Sequence, residues 1–176
     1  MPFLLALTLA IGLASAPAAA QPTEQAVKAA FIPKFARYVE WPPVARPEGR
    51  DPFQLCVIGP DPFGQQLDLA AAGELIEGRA VAVRRLATAE GADACHLAFV
   101  RGASPQGTGR LLVALRNSPI LTITDSRYGS ARGIIHFTNA GGRVRFFIDE
   151  AAAAERGLAI SSRLLALALG VRQRRS

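Results

Sequence analysis

The sequence predicts an α/β fold. It is a single domain over residues 21–176, with an open mixed sheet of about six strands, flanking helices, and a C-terminal β-hairpin followed by two helices. Three observations predict it. Compact apolar runs at residues 53–59, 80–84, 95–100 and 120–124 alternate with helix-compatible stretches, as in a layered α/β domain. Residues 133–138 (GIIHFT) and 143–148 (RVRFFI) are rich in β-branched and aromatic types and flank Asn139, Ala140, Gly141 and Gly142, which is a hairpin signal. Helix signals follow that hairpin directly: Asp149 offers a capping oxygen to the Ala151–Ala154 run, and Gly157 ends it.

Residues 1–20 carry no charged side chain. Phe3 to Leu13 has the length of a signal h-region, and Ala14 to Ala20 is rich in small residues, so the pattern predicts a cleaved signal peptide with Ala18-x-Ala20 at the cut. Pro17 and the polar Gln21, Pro22 and Thr23 leave too short an apolar stretch for a membrane span. Residues 23–40 follow as a helix, capped by Thr23, with Val27, Ala30, Phe31, Phe35, Tyr38 and Val39 near one face and a break or kink at Pro33. The aromatic cluster Phe31, Phe35, Tyr38 and Trp41 reads first as a core-facing stripe and second as a partner groove or dimer face. Trp41, Pro42 and Pro43 end the helix and lead into a polar loop to Pro52.

Residues 53–59 (FQLCVIG) form a strand running through the turn PDPFG into a helix over 65–72. Gly78 turns the chain into the alternating strand 80–84. Residues 95–100 (CHLAFV) are nearly all apolar, as in a strand covered on both faces. A helix over 109–116 precedes the strand 120–124, which runs into Asp125 and Ser126. In the second hairpin strand, Val144, Phe146 and Ile148 share one face while Arg143, Arg145 and Phe147 share the other, so one face is core and one partly wet. After Gly157 and a connector, Ser161 or Ser162 caps a helix whose Leu164, Leu165, Ala168 and Leu169 form a stripe for the hairpin's inner face. Arg172, Arg174 and Arg175 fall in a solvated tail.

The chain has 20 Lys and Arg against 14 Asp and Glu, a net charge of +6, which biases it toward acidic partners or anionic surfaces. Without the aromatic–basic interleaving of single-strand binders, it is not read as a nucleic-acid protein. Its two cysteines, Cys56 and Cys95, are an even count in an exported chain, which argues for a structural bridge; two buried thiols and a redox pair are the alternatives. The glycines of GPDPFG lack the Lys-Ser/Thr ending of a P-loop. His96 and His136 each sit alone inside a strand, and Ser104 and Ser161–Ser162 have no nucleophile elbow. Asp125, at a strand's carboxyl end, is the best-placed carboxylate, with a turn or capping role as its ordinary reading. No catalytic, cofactor or metal set assembles.

The segments AAFIPKFARYVEWP, LCVIGPDPFG, CHLAFV, ILTITD, RGIIHF, RVRFFID and LAISSRLLALA, in this order, resemble the YfiR family of exported bacterial proteins over about Glu24 to Ala168. The chain lacks a second cysteine pair found in the best-understood relative and has Pro33–Lys34 where Tyr-Asn is common. The resemblance implies a periplasmic, non-enzymatic repressor that binds the periplasmic domain of an inner-membrane diguanylate cyclase and so controls cyclic-di-GMP signalling. It implies sequestration by an outer-membrane peptidoglycan-associated lipoprotein, homodimer formation, and a stabilising disulfide between Cys56 and Cys95. Phe35, Arg37, Tyr38 and Trp41, with the loop from Asp125 to Arg132, are the candidate contact surface. The competing expectation is a small-ligand binding module, with its pocket near Gly59 to Phe63 and Asp125.

Overall fold

The computed structural model describes residues 21–173; the expected signal peptide and the arginines after Arg172 lie outside them. Thr23 accepts a hydrogen bond from the Ala26 amide and opens helix α1 (Glu24–Phe35). The helix continues through Pro33 and tightens only at its end into a 3₁₀ turn, Ala36–Tyr38, that delivers β1 (Val39–Glu40). Then come β2 (Phe53–Ile58), α2 (Gln65–Ala72), β3 (Leu75–Ile76), β4 (Arg79–Leu86), β5 (Leu97–Val100), α3 (Pro105–Ala114) and β6 (Leu121–Asp125). The C-terminal part adds β7 (Ile135–Ala140), β8 (Arg143–Asp149), α4 (Glu150–Glu155), β9 (Ala159–Ile160), α5 (Ser162–Leu167) and β10 (Gly170–Arg172).

Eight of these strands form one sheet in the order β10-β8-β7-β6-β5-β2-β4-β3. β4, β2, β5, β6 and β7 run parallel, β8 returns antiparallel to β7, and β10 lies parallel to β8. The predicted mixed sheet is therefore present, with two short edge strands added to the six expected. The central strands β5 and β6 are buried throughout, β5 as an unbroken apolar run and β6 with Thr122, Thr124 and Asp125 buried among its apolar residues, whereas β8 alternates.

The two faces differ. One bears the larger core, where Leu55, Val57, Leu97, Phe99, Ile123, Ile135, Phe137 and Ile148 meet side chains of α1, α2, α4 and α5. The other bears a smaller cluster, with Cys56, Ile58, Ala98 and Val100 under Leu111, Leu112 and Leu115 at α3 and its C-terminal end. Cys56 and Cys95 form a disulfide in that cluster, with Cα atoms 5.9 Å apart.

Several features differ from those the sequence predicts. Helix α3 starts at Pro105 instead of 109, because Ser104 accepts from the Gly107 amide and proline suits the first helical position. The connector after Gly157 contains a strand, β9, pairing Val39 with Ile160 and Glu40 with Ala159. Arg172 is not in a loose tail: it belongs to β10, opposite Asp149, and its guanidinium lies 2.6 Å from the Asp149 carboxylate. The stripe after Ser161 is narrower than expected, with Leu164 buried and Leu169 42% exposed.

Both tight hairpins depend on left-handed backbone. Gly141 and Gly142 take φ of 60° and 72° between β7 and β8, the geometry in which a two-residue turn matches the strands' twist. Between β3 and β4 the same role falls to Glu77 (φ 50°) and Gly78 (φ 79°), and glutamate is poorly suited to it. Glu77→Asn is expected to raise stability by about 0.5 kcal/mol. A urea midpoint at or below wild type would contradict this.

Candidate functional site

The carboxyl ends of the parallel strands are where an open α/β sheet ordinarily binds ligands, and the competing reading places a small-ligand pocket there. At two of these ends the backbone approaches itself closely. At Gly59 (φ 91°) an added Cβ would stand 1.8 Å from the Arg101 carbonyl oxygen, and at Gly102 it would meet the Gly107–Thr108 backbone at 2.3 Å. The Arg101 guanidinium lies 4.0 Å over the Tyr128 ring, and Gln25 donates to the Tyr128 hydroxyl at 3.0 Å.

Asp125 lies in the same region, and its side chain is wholly buried. One oxygen accepts from Lys28 Nζ at 2.6 Å; the other accepts from the Arg127 amide at 3.0 Å and caps the turn after β6. The turn-capping role read for it is therefore present, together with a buried ion pair that the sequence did not reveal. Lys28, 1% exposed, also donates to Glu24 one helical turn earlier and lies 5.9 Å from the centre of the Phe137 ring. Hydrogen bonding from Lys28 holds the Glu24 carboxyl below the ordinary carboxylate range, with Asn139 and Arg127 adding to the effect against partial burial. The cluster fastens α1 to the end of β6.

The two histidines are likewise bound into the sheet. The Gln54 amide donates to His96 Nδ1 at 3.0 Å, and the imidazole lies against the Phe53 ring with centroids 4.5 Å apart. His136, 3% exposed, has its Nδ1 2.8 Å from the Thr124 hydroxyl. That hydroxyl accepts from the Gly133 amide, so its proton is free to go to a neutral imidazole. Thr122 does the same for the Ile134 amide and also accepts from Arg156. The strand thus uses its two threonines to hold the incoming loop.

Desolvation lowers the pKa of both imidazoles below the ordinary 6.5; at His136 the nearby Arg132 adds to it. Between those lowered values and 6.5 the unfolded chain binds more protons than the folded one, so stability rises with pH through that window. The urea midpoint is expected to fall between pH 7.5 and pH 5.5, and His96→Gln/His136→Gln is expected to flatten the slope. An unchanged slope in that variant would assign the pH dependence elsewhere.

The candidate contact residues do not converge. Phe35 (2% exposed) packs against Phe137 and Phe146, with ring centroids 5.7 and 5.2 Å away. Trp41 (5% exposed) meets Phe53 edge-on at 4.8 Å, and its indole donates to the His96 carbonyl at 3.2 Å. Both are core residues, which agrees with the first reading of the aromatic cluster, and Asp125 is buried as well.

The remaining three are accessible and lie toward opposite sheet edges. Arg37, ion-paired with Glu74, and Tyr38 line a depression of about 420 Å³ with Glu40, Ile76, Glu77 and Ile160, beside the β3 edge. Arg132 lines another of about 470 Å³ with His136, Phe147, Asp149, Gly170 and Arg172, beside the β10 edge. Near the second depression, the strand parity already read in RVRFFID places Arg145 and Phe147 on the side away from the core.

Among the described residues, no group of His, Cys, Asp and Glu is arranged to hold a metal, and no helix is long and apolar enough to cross a membrane. Fold and site together define an α/β domain closed by a disulfide, whose buried polar groups tie secondary structure together. The chain belongs to the YfiR/HmsC-like family, whose model matches residues 25–169. Comparison with curated proteins finds no significant match.

Proposed function

We propose that this chain is a periplasmic regulatory protein that binds the periplasmic domain of a membrane diguanylate cyclase and holds the enzyme inactive, acting by contact and not by catalysis. The observation that carries this reading is the family match, which extends from the first turn of α1 to the residue before β10. The geometry is compatible with it. The buried Asp125, Lys28 and His136 and the half-buried His96 each hydrogen-bond within the fold, and the backbone packs closely at Gly59 and Gly102.

Inhibition by contact requires only that the chain bind one state of the sensor more tightly than the other. Shifting such an equilibrium from 99% active to 99% inactive takes a preference of about 10⁴-fold. An outer-membrane peptidoglycan-associated lipoprotein would release the cyclase by competing for the chain, and a homodimer is the form proposed for the free protein.

The test is a pull-down of the tagged chain from cross-linked cell envelopes, with cyclic-di-GMP measured in a deletion strain. Recovery of a membrane diguanylate cyclase together with a severalfold rise in cyclic-di-GMP on deletion is expected. Recovery of the chain only with itself, and an unchanged cyclic-di-GMP level, would overturn the reading.

A further inference from the structure

We infer that the sheet face formed by β7, β8 and β10 opposite the main core is a docking surface for a carboxylate-rich segment of a protein partner. The fold covers this face only in part: His136 is buried, whereas Arg132 is exposed and Thr138, Arg145 and Phe147 are half-buried. Helices α1, α2, α4 and α5 contribute to the core on the other side, and α3 covers the smaller cluster over β2 and β5. Strand register puts Thr138 opposite Arg145, His136 opposite Phe147, and Phe147 opposite Gly170, so these residues share the side away from the main core. An α/β sheet usually has both faces covered where its strands are parallel, and here the cover thins along the antiparallel hairpin, from the buried His136 in β7 to the half-buried Phe147 in β8.

The chemistry of the face selects its occupant. Arg132 is exposed, and its guanidinium lies 5.0 Å over the Phe147 ring. Arg172 stands at the same depression, partnered by Asp149, and Arg145 follows along β8. Among the described residues, Arg132 and Arg145 have no carboxylate within ion-pair distance, so the face carries three guanidiniums against one carboxylate.

An arginine already oriented on an aromatic ring loses less freedom when it forks onto a carboxylate. Beside it, Phe147 supplies the apolar anchor that interfaces favour together with arginine. At Gly170 a Cβ would come within 3.2 Å of the Phe147 ring, so the ring lies over a backbone with no side chain beneath it. An acidic segment with an apolar residue among its carboxylates fits a depression of about 470 Å³ of this kind. The inference rests on the regulatory reading only in taking the occupant to be a protein.

The test uses the mature chain and fluorescein-labelled hexaglutamate as the carboxylate probe, with phosphatidylglycerol vesicles as the lipid comparison. Arg132→Glu/Arg145→Glu is expected to weaken hexaglutamate binding at least tenfold, and Phe147→Ala to weaken it severalfold at unchanged charge. The charge-matched control Arg110→Glu/Arg116→Glu, on exposed positions at α3 and just after it, is expected to change binding less than twofold. Equal loss in both double variants would reduce the effect to net charge and overturn the proposal, as would vesicle binding that depends on Arg132 and Arg145 while hexaglutamate binding does not. Circular dichroism checks that each variant is folded. No cyclase is present in this assay, so its failure leaves the envelope experiment untouched, and failure of that experiment leaves this one standing.

Discussion

Replacing Lys28 with methionine is expected to lower the stability of the domain by about 3–5 kcal/mol, measured by urea unfolding at pH 7. Methionine preserves most of the side chain's length and helix propensity, so the loss isolates the charge. Without the ammonium, the wholly buried Asp125 carboxylate keeps only the Arg127 amide as partner, and Glu24 loses the donor that holds its pKa down. Breaking a buried pair from one side costs more than the pair contributed, because the remaining charge stays desolvated.

The companion variant Lys28→Met/Asp125→Asn tests that cause directly. Asparagine's carbonyl can still accept from the Arg127 amide while carrying no charge, so the double variant is expected to recover at least half of the loss. A single variant within about 1 kcal/mol of wild type, or a double variant worse than the single, would show that the ion pair does not anchor α1 to β6.

The same lysine marks where the sequence stopped being legible. The long strands, the hairpin and the caps at Thr23, Asp149 and Ser161 could be read because each rests on local chemistry: apolar runs, glycine turns, capping oxygens; the disulfide could be read because only two cysteines are present. The face of α1 was misjudged. Its buried side runs through Lys28, Ala29, Ile32 and Phe35, while Ala30 and Phe31, assigned to the apolar stripe, are exposed. A charged residue in the middle of a buried stripe shifts the apparent phase of the pattern, and its partner lies 97 positions away.

The two-residue strands β1, β3 and β9 carry too little periodicity to register, and β10 was hidden by the arginines around it. Trp41 offered no local sign of whether it faced a partner or a core, since that depends on where His96 and Phe53 arrive. The candidate contact surface therefore split into buried and accessible residues that no spacing rule could have separated.

Removing the disulfide is expected to be comparably costly, on the order of 4 kcal/mol for Cys56→Ala/Cys95→Ala by the loop-closure argument for a separation of 39 residues. The bridge runs from β2 to the residues just before β5, so the closed loop contains α2, β3 and β4, the whole outer flank of the sheet. Strands β2 and β5 are neighbours in the native sheet, and the bridge holds them close before their ladder forms.

Burial adds a second consequence. Cys56 is 0% and Cys95 5% exposed, so a reductant in solution reaches the bond only when this flank opens. Under native conditions, reduction by dithiothreitol is expected to be slow and to accelerate steeply with urea below the unfolding midpoint, followed through alkylation by mass spectrometry. In the double alanine variant the thermal midpoint is expected to fall by roughly 8–16 °C, the range that 4 kcal/mol implies for a domain of this size. A variant within a few degrees of wild type would show that neighbouring packing around Ile58, Ala98 and Val100 holds the two strands together without the bond. Fast reduction in the absence of urea would show that the flank opens far more readily than its buried cluster implies.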